Sequence, residues 1–374
     1  GFPVHLVVLS RSALTGRQEE VLQAYAHKTS HIPLRDATPV DRVFAGASAL
    51  RQILPYHSAV LLRSLASRPD VARLILRHQG PVFTSVGHWG TLVYRKPAKN
   101  WILNQCDADI EFWRVYAKSA SGAARWAASV NYRLAARMYP SVYRNVGGII
   151  SVCEEDLQCT KAVAPQAMVA VVENGVDCTY FQPRGVISRI PGRLVFTGTS
   201  AARNVRALRV FIEAVLPLVR REVPHVTLLV AGDFQPGVVS EFSEYPDVSF
   251  SGRVHDIRPC FETAEVFVAP FEETHGSKVK VAQALAMGMA IVSTPAGVRG
   301  LPVKDGHEVI IARDKYEFAD SVSRLIRNNR LREELGRAGR EAATARLDWT
   351  ILGSRLRRVV APFYSETPYT GGPR

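Results

Sequence analysis

The chain has 374 residues, a length that suits two or three domains. Apolar residues make up 47% and charged residues 22%, which excludes a disordered, collagen-like or disulfide-held mini-protein, and no apolar run approaches the ~18 residues of a membrane span. With 47 basic against 34 acidic residues the net charge is +13; such a surface fits nucleic acid, anionic lipid or an anionic small substrate, but no nucleic-acid-binding module reads from the pattern, so nucleic acid is not an expected partner.

Taken in chain order, short apolar runs alternate with stretches of helical period. Runs in the first half are Val4–Leu9, Val82–Val86, Trp101–Leu103, Ile149–Val152 and Val169–Val172. Ala123–Asn145 reads as a long helix with Pro140 inside it, so a kink or break is expected there. Residues 183–192, PRGVISRIPG, hold two prolines, two glycines and no helical period, and mark the expected domain junction. The reading is a first domain over 1–183, a linker over 184–192, a second domain over 193–345, a final helix over 346–364 and a loose tail over 365–374.

Runs in the second half are Leu194–Thr197, Val226–Ala231, Val248–Phe250, Val266–Ala269, Ile291–Ser293 and Val309–Ile311. Between them Leu208, Phe211, Ile212, Val215 and Val219 share one helical face, as do Phe318, Val322, Leu325 and Ile326. Strand-like runs alternating with helices predict α/β units around parallel sheets. The five cysteines form no CxxC pair; unpaired thiols in a reduced, cytoplasmic chain are expected, and no zinc site.

The densest chemistry lies in 271–301, FEETHGSKVKVAQALAMGMAIVSTPAGVRGL. It follows the run Val266–Ala269, at the carboxyl end of a strand, where open parallel sheets bind ligands. A helix opening at Gly276 and Ser277 would point unpaired N–H groups and a positive dipole end at an anion. Gly276, Lys280 and Gln283 fall at i, i+4 and i+7 on one face. Taken alone, the same segment reads more readily as an amphipathic helix with solvated lysines. A second small-residue loop follows Leu194–Thr197: Gly198 and Thr199, then Arg203 and Asn204, where a diphosphate can approach the backbone and meet a guanidinium. Asn174–Asp177 (NGVD) and Ser251–Val254 (SGRV) read as turns after further strands.

The ordered set NGVD, FTG, GRVHDIRPCFETAEVFVAP and HGSKVKVAQALAMGMAIVSTPAGVRGL resembles the group-one glycosyltransferases, nearest to the bacterial subgroup associated with exosortase and exopolysaccharide systems. VHLVVL and DADIEFWRVYA upstream resemble that subgroup too. The resemblance implies a GT-B fold: two Rossmann-like domains facing a cleft, with the C-terminal helix returning to the first. It implies a retaining, metal-independent hexosyltransferase that takes a nucleoside-diphosphate sugar in the second domain and a glycan or lipid-linked acceptor in the first. It needs no further cofactor. The chain would work in the cytoplasm at the inner face of an anionic membrane, in envelope or exopolysaccharide synthesis.

Carried over residue by residue, Arg203 and Lys280 contact the diphosphate. Gly198, Thr199, Asn204, His275, Gly276 and Ser277 line the donor site, Arg253 and Val254 the base, and Gln283 stands where the family places a ribose-binding Glu. Asp107, Asp109 and Glu111 fall on the subgroup's acidic motif, with Asp107 the catalytic candidate and the other two acceptor-side. His88 is a further acceptor-side candidate. The plainer reading of the three carboxylates is a solvated helix start. The sequence departs from the family at His275, Gln283, Thr199 and Pro140, and lacks the further strand and glycine-rich loop with which the family opens. A degenerate binding or scaffold subunit, and a nucleotide-sugar epimerase on the same architecture, therefore stay open beside the transferase.

Overall fold

The structure is a computed structural model that describes residues 5–10, 28–33, 81–84, 97–105, 109–185, 187–272 and 279–365. The chain divides into two compact units. One comprises residues 1–150, 158–169 and 362–374; the other comprises 151–157 and 170–361. The junction read at 184–192 therefore lies inside the second unit. Its backbone is bonded there, with Arg184 N donating to Glu262 Oε1 at 2.8 Å and Gly192 N to Glu265 Oε2 at 2.8 Å.

In the first unit, β1 (His5–Ser10) and β2 (Lys28–Pro33) pair in parallel. A separate sheet runs in the order β3 (Val82–Thr84), β4 (Ala98–Gln105), β5 (Val146–Ser151), β6 (Val169–Val171), of which Ser151 and residues 170–171 are counted with the second unit. The helices here are α1 (Asp109–Ser119), α2 (Gly122–Asn145) and α3 (Glu154–Val163), the last with its residues 154–157 counted in the second unit. The core gathers Trp101, Leu103, Trp113, Met138, Tyr139, Val142 and Tyr143. A buried chain of bonds crosses it: Thr160 Oγ1 donates to Gln105 Oε1 at 3.2 Å, and Gln105 Nε2 donates to Tyr143 Oη at 2.7 Å. α2 runs through Pro140 without a break. Met138, Tyr139, Val142 and Tyr143, on both sides of the proline, are at most 2% exposed, and their packing outweighs the single hydrogen bond that proline removes.

The second unit is built on a parallel six-stranded sheet. Its strands are β7 (Arg193–Thr197), β8 (Thr227–Ala231), β9 (Val248–Phe250), β10 (Val266–Ala269), β11 (Ala290–Ser293) and β12 (Ile310–Ile311). In space they run β12-β11-β10-β7-β8-β9, and every pair is parallel. β10 and β11 are buried at every position, which is why they read as unbroken apolar runs: helices cover both faces.

α4 (Ala202–Val210), a π-turn at Phe211–Val215 and α5 (Leu216–Glu222) make one continuous rod. The widened turn sits directly ahead of Pro217, whose ring clashes with the carbonyl four residues back in a regular α-helix. The predicted face Leu208, Phe211, Ile212, Val215 and Val219 is at most 2% exposed. α6 (Pro236–Glu241), α7 (Arg258–Glu262), α8 (Val279–Ala286), α9 (Pro295–Val298), α10 (Lys315–Arg327) and α11 (Asn329–Arg346) complete this unit. Asp314 caps α10 by accepting from Tyr316 N and Glu317 N, each at 2.8 Å.

The last helix, α12, runs Trp349–Ser365; its final turn, from Pro362, belongs to the first unit, where Phe363 lies against Gly147 and Gly148. The tail beyond Ser365 lies outside the described residues. Among the described residues no helix is long and apolar enough to cross a membrane.

Candidate functional site

The sheet order of the second unit fixes where a ligand belongs. β7 is flanked on one side by β8, next in sequence, and on the other by β10. The connections therefore leave in opposite directions from the β7–β10 pair, opening a crevice at the carboxyl ends of these two strands. The residues there are Gly198 and Thr199 beyond β7, and Phe271 beyond β10.

The loop after β7 is held by close backbone contacts. Gly198 N donates to Ala231 O at 3.0 Å. Gly232, at φ +130°, brings its Cα so near that a Cβ there would lie 2.0 Å from Gly198 O, so only glycine serves. Ser200 Oγ accepts from Gln235 N at 2.6 Å. The loop then turns into α4, whose second residue, Arg203, is exposed.

Asn204 is the pivot. It is 4% exposed, and its Nδ2 donates to Thr199 O at 3.1 Å and to Thr199 Oγ1 at 3.2 Å. That leaves Oδ1 facing α8, where Lys280 Nζ donates to it at 2.8 Å. The ammonium also lies 5.1 Å from the Phe271 ring centroid and 5.8 Å from that of Phe196, within cation–π range. A cation is thus held at the mouth of the crevice by an amide oxygen and two aromatic rings. Gln283, one turn further along α8, is half-buried, and its side chain makes no hydrogen bond among the described residues. The neighbouring Val281, Ala282, Ala284 and Leu285 are fully buried, so Lys280 and Gln283 share the outward face. Across the crevice Thr294 caps α9 by accepting from Gly297 N at 3.2 Å, and its hydroxyl donates to Phe271 O. This ties the end of β10 to the end of β11.

The SGRV turn lies after β9, two strands from β7. Arg253 is exposed and Val254 half-buried, and no bond joins them to Asn204 or Lys280. Behind the turn a charged cluster anchors it. Arg258 Nη2 reaches Asp256 Oδ2 at 2.8 Å, and its guanidinium stacks 3.9 Å over the Tyr180 ring. Arg184 bonds Glu262 at 2.7 Å and Asp256 at 3.3 Å. The Arg258 hydrogen bond, working against partial burial, holds the Asp256 carboxyl down at about 2.

NGVD proves to be a seat for α12. Val176 pairs with Asp348 as an isolated bridge. Asp348 accepts from Cys178 N at 3.1 Å and from Thr350 N at 2.9 Å.

The structure therefore brings Gly198, Thr199, Asn204, Lys280 and Gln283 to one crevice. Arg203 stands at its rim on the first turn of α4. His88, Asp107, His275, Gly276 and Ser277 lie outside the described residues. Asp109 opens α1, the first-turn position that carboxylates favour. Glu111 is gripped by Arg114, whose Nε donates to its Oε2 at 2.6 Å, and that bond raises the Arg114 pKa. Sequence reasoning missed the flanking rings Phe196 and Phe271, and the Thr294 tie. Phe271, two residues past a buried strand, carried the one available signal.

Residues 191–328 match the sequence profile of the family described as Glycosyl transferases group 1. The phosphatidyl-myo-inositol mannosyltransferase of Mycobacterium tuberculosis is 26% identical over 202 residues, half of this chain and 52% of that protein. An uncharacterized 44.6 kDa protein in the cps region of Klebsiella pneumoniae is 23% identical over 133 residues, 33% of this chain and 34% of that protein. The chain thus spans from a third to about half the length of these curated relatives. Among solved structures, sucrose-phosphate synthase from Thermosynechococcus elongatus superposes with a TM-score of 0.67 at 15% identity, covering 98% of this chain and all of that one. HepE of Anabaena, in complex with UDP and glucose, gives 0.64 at 12% identity over 95% and 91% of the two chains. The fold is GT-B.

Proposed function

We propose that this GT-B chain is a glycosyltransferase that moves a sugar from a nucleoside-diphosphate donor to a hydroxyl of a glycan or lipid-linked acceptor, in assembly of a bacterial envelope or extracellular polysaccharide. The observation that carries the reading is the Lys280–Asn204 bond at the β7–β10 crevice. It places a preorganised cation where a ligand's negative charge would sit, and a donor's leaving group is such a charge.

In this reading Lys280, with Arg203 at the rim, neutralises the diphosphate as the sugar C1–O bond breaks and its electron pair passes to the phosphate oxygen. The acceptor oxygen forms the new bond to C1, and its proton leaves to a phosphate oxygen on the same face. Configuration is thereby retained. Fixed cations and helix amides supply this stabilisation in the transition state. The matched profile over 191–328 and the UDP-bound HepE neighbour support a nucleotide-linked donor in the second unit.

The test is thermal unfolding with UDP, GDP, ADP and TDP, each with and without EDTA. A nucleotide at 100 times its Kd stabilises by about 2.7 kcal/mol, a rise of several degrees. One nucleotide is expected to give that shift, unchanged by EDTA; a chain indifferent to all four is no donor-dependent transferase.

Gln283 favours a second reading, a subunit that binds nucleotide without turnover. A glutamine meets a ribose diol without the charge assistance that makes a carboxylate's hydrogen bonds about twice as strong. Gln283→Glu is therefore expected to tighten the nucleotide by roughly tenfold in calorimetry, about 1.4 kcal/mol. If the variant gains affinity but shows no turnover with any donor, the binding-only reading stands.

A further inference from the structure

Pro270 makes the end of β10 depend on a neighbouring strand. It stands between Ala269, the last residue of β10, and Phe271, and proline has no N–H with which to pin the chain. The carbonyls on either side of it are held from the end of β11 instead. Thr294 N donates to Ala269 O at 3.2 Å, and the Thr294 hydroxyl donates to Phe271 O. Ser293 Oγ, fully buried, adds a bond to Ala269 O at 3.3 Å.

These bonds are braced by α9. Thr294 Oγ1 accepts from Gly297 N at 3.2 Å while it donates to Phe271, so one hydroxyl serves both segments. Gly297 packs so close that a Cβ there would lie 2.2 Å from Ser293 Oγ and 2.8 Å from Ala269 O, an approach that only glycine permits. What the brace fixes is a ring. Phe271 is 3% exposed, its ring centroid lies 5.8 Å from that of Phe196, and the Lys280 ammonium lies 5.1 Å from it. Phe271 therefore supports a charge that Asn204 Oδ1 also holds, at 2.8 Å.

We infer that Thr294 and Phe271 are positioning residues for Lys280. The Thr294 hydroxyl fixes the Phe271 main chain, the Phe271 ring fixes the ammonium, and both act on the diphosphate through Lys280. The inference rests on the reading of Lys280 as the diphosphate contact. Thr294→Val keeps the side-chain shape and releases the Phe271 carbonyl. Phe271→Leu keeps an apolar side chain and loses the π face that attracts the cation.

The test compares UDP, GDP, ADP and TDP each with its own nucleoside, by displacement calorimetry on the full chain. Base and sugar are common to the two, so the nucleoside Kd divided by the diphosphate Kd reads the diphosphate contact alone. In Phe271→Leu that ratio should fall roughly two- to thirtyfold, the range of a cation–π contact. In Thr294→Val it should fall roughly two- to tenfold, the net worth of one hydrogen bond, and Thr294→Ser should restore it. Nucleoside affinity should stay at the wild-type value in all three. Thr294→Val also loses the α9 cap, so its thermal midpoint should fall. Asp314→Ala loses a cap of the same kind on α10; it should lower the midpoint too and leave the ratio unchanged.

A ratio that falls as far in Asp314→Ala as in Thr294→Val would reduce the effect to lost stability and overturn the assignment. So would wild-type ratios in both Thr294→Val and Phe271→Leu. A second measurement needs no nucleotide. Trace labelling of the free protein with acetic anhydride, read by mass spectrometry, should modify Lys280 severalfold faster in Thr294→Val and Phe271→Leu than in the wild type, with exposed Lys304 as the internal reference. An unchanged Lys280 rate in both variants overturns the positioning whatever the nucleotides do. A wild type indifferent to all four nucleotides defeats the transferase reading instead, and the labelling then decides the positioning by itself.

Discussion

At the scale of single residues, the second unit's chemistry turns on one amide. Asn204 donates to both Thr199 oxygens and accepts from Lys280, so its orientation is fixed by three hydrogen bonds to two residues. Lys280→Ala removes the cation itself. The expected loss is about 10²–10³ in kcat, the scale seen when one donor to developing charge is deleted. Asn204→Ala leaves Lys280 in place but releases it. A hydrogen bond to a charged group is worth about 1.5–3 kcal/mol, so kcat should fall roughly ten- to a hundredfold while the thermal midpoint moves little. Asn204→Asp keeps an acceptor for Lys280 but sets a carboxylate beside the proposed diphosphate site, and it should weaken the proposed nucleotide-sugar donor more than the alanine variant does. Steady-state kinetics on the three variants separate these roles. Equal activity of Asn204→Ala and wild type would remove Asn204 from the site.

At the scale of elements, local pattern and long-range contact divide the reading. The strands of the second sheet were legible because burial on both faces forces Val, Ile, Leu and Phe into unbroken runs. Lys280 and Gln283 were legible as a pair because helical periodicity is local. The Lys280–Asn204 bond was not: it joins residues 76 apart in sequence, and nothing in either neighbourhood encodes it. Pro140 predicted a break that core packing overrides. NGVD looked like a turn, but Val176 is bridged to Asp348 and the turn follows only at Cys178–Tyr180; the work of the segment is to hold residues about 170 positions away.

That seat can be tested. The Asp348 carboxylate caps α12 through Thr350 N and also satisfies Cys178 N; burial opposes its charge, and these hydrogen bonds outweigh burial and keep its pKa low. Asp348→Ala forfeits a helix cap worth about 1 kcal/mol and strands a backbone donor at about 1–3 kcal/mol. Together these are about 2–4 kcal/mol, so the thermal midpoint should drop by roughly 4–16 °C for a unit of this size, and a shift under one degree would deny α12 that anchor.

At the scale of the whole molecule, the buried hydrophobic residues among those described form two separate cores. The larger is drawn wholly from residues 176–347 and the smaller from 101–167. Each core lies inside one compact unit, and a unit with its own core can unfold on its own. The β7–β10 crevice draws its described residues from the second unit alone. A nucleotide that binds there stabilises by mass action only the unit that holds it.

The tryptophans make this measurable. Trp89, Trp101, Trp113 and Trp126 belong to the first unit and only Trp349 to the second, so tryptophan fluorescence follows chiefly the first unit, whereas circular dichroism follows both. Saturating nucleotide should therefore raise one of two dichroism transitions by several degrees and leave the fluorescence midpoint almost where it was. If fluorescence and dichroism instead rise together by the same amount, the two cores melt as one cooperative body, and nucleotide bound in the second unit stabilises the first as well.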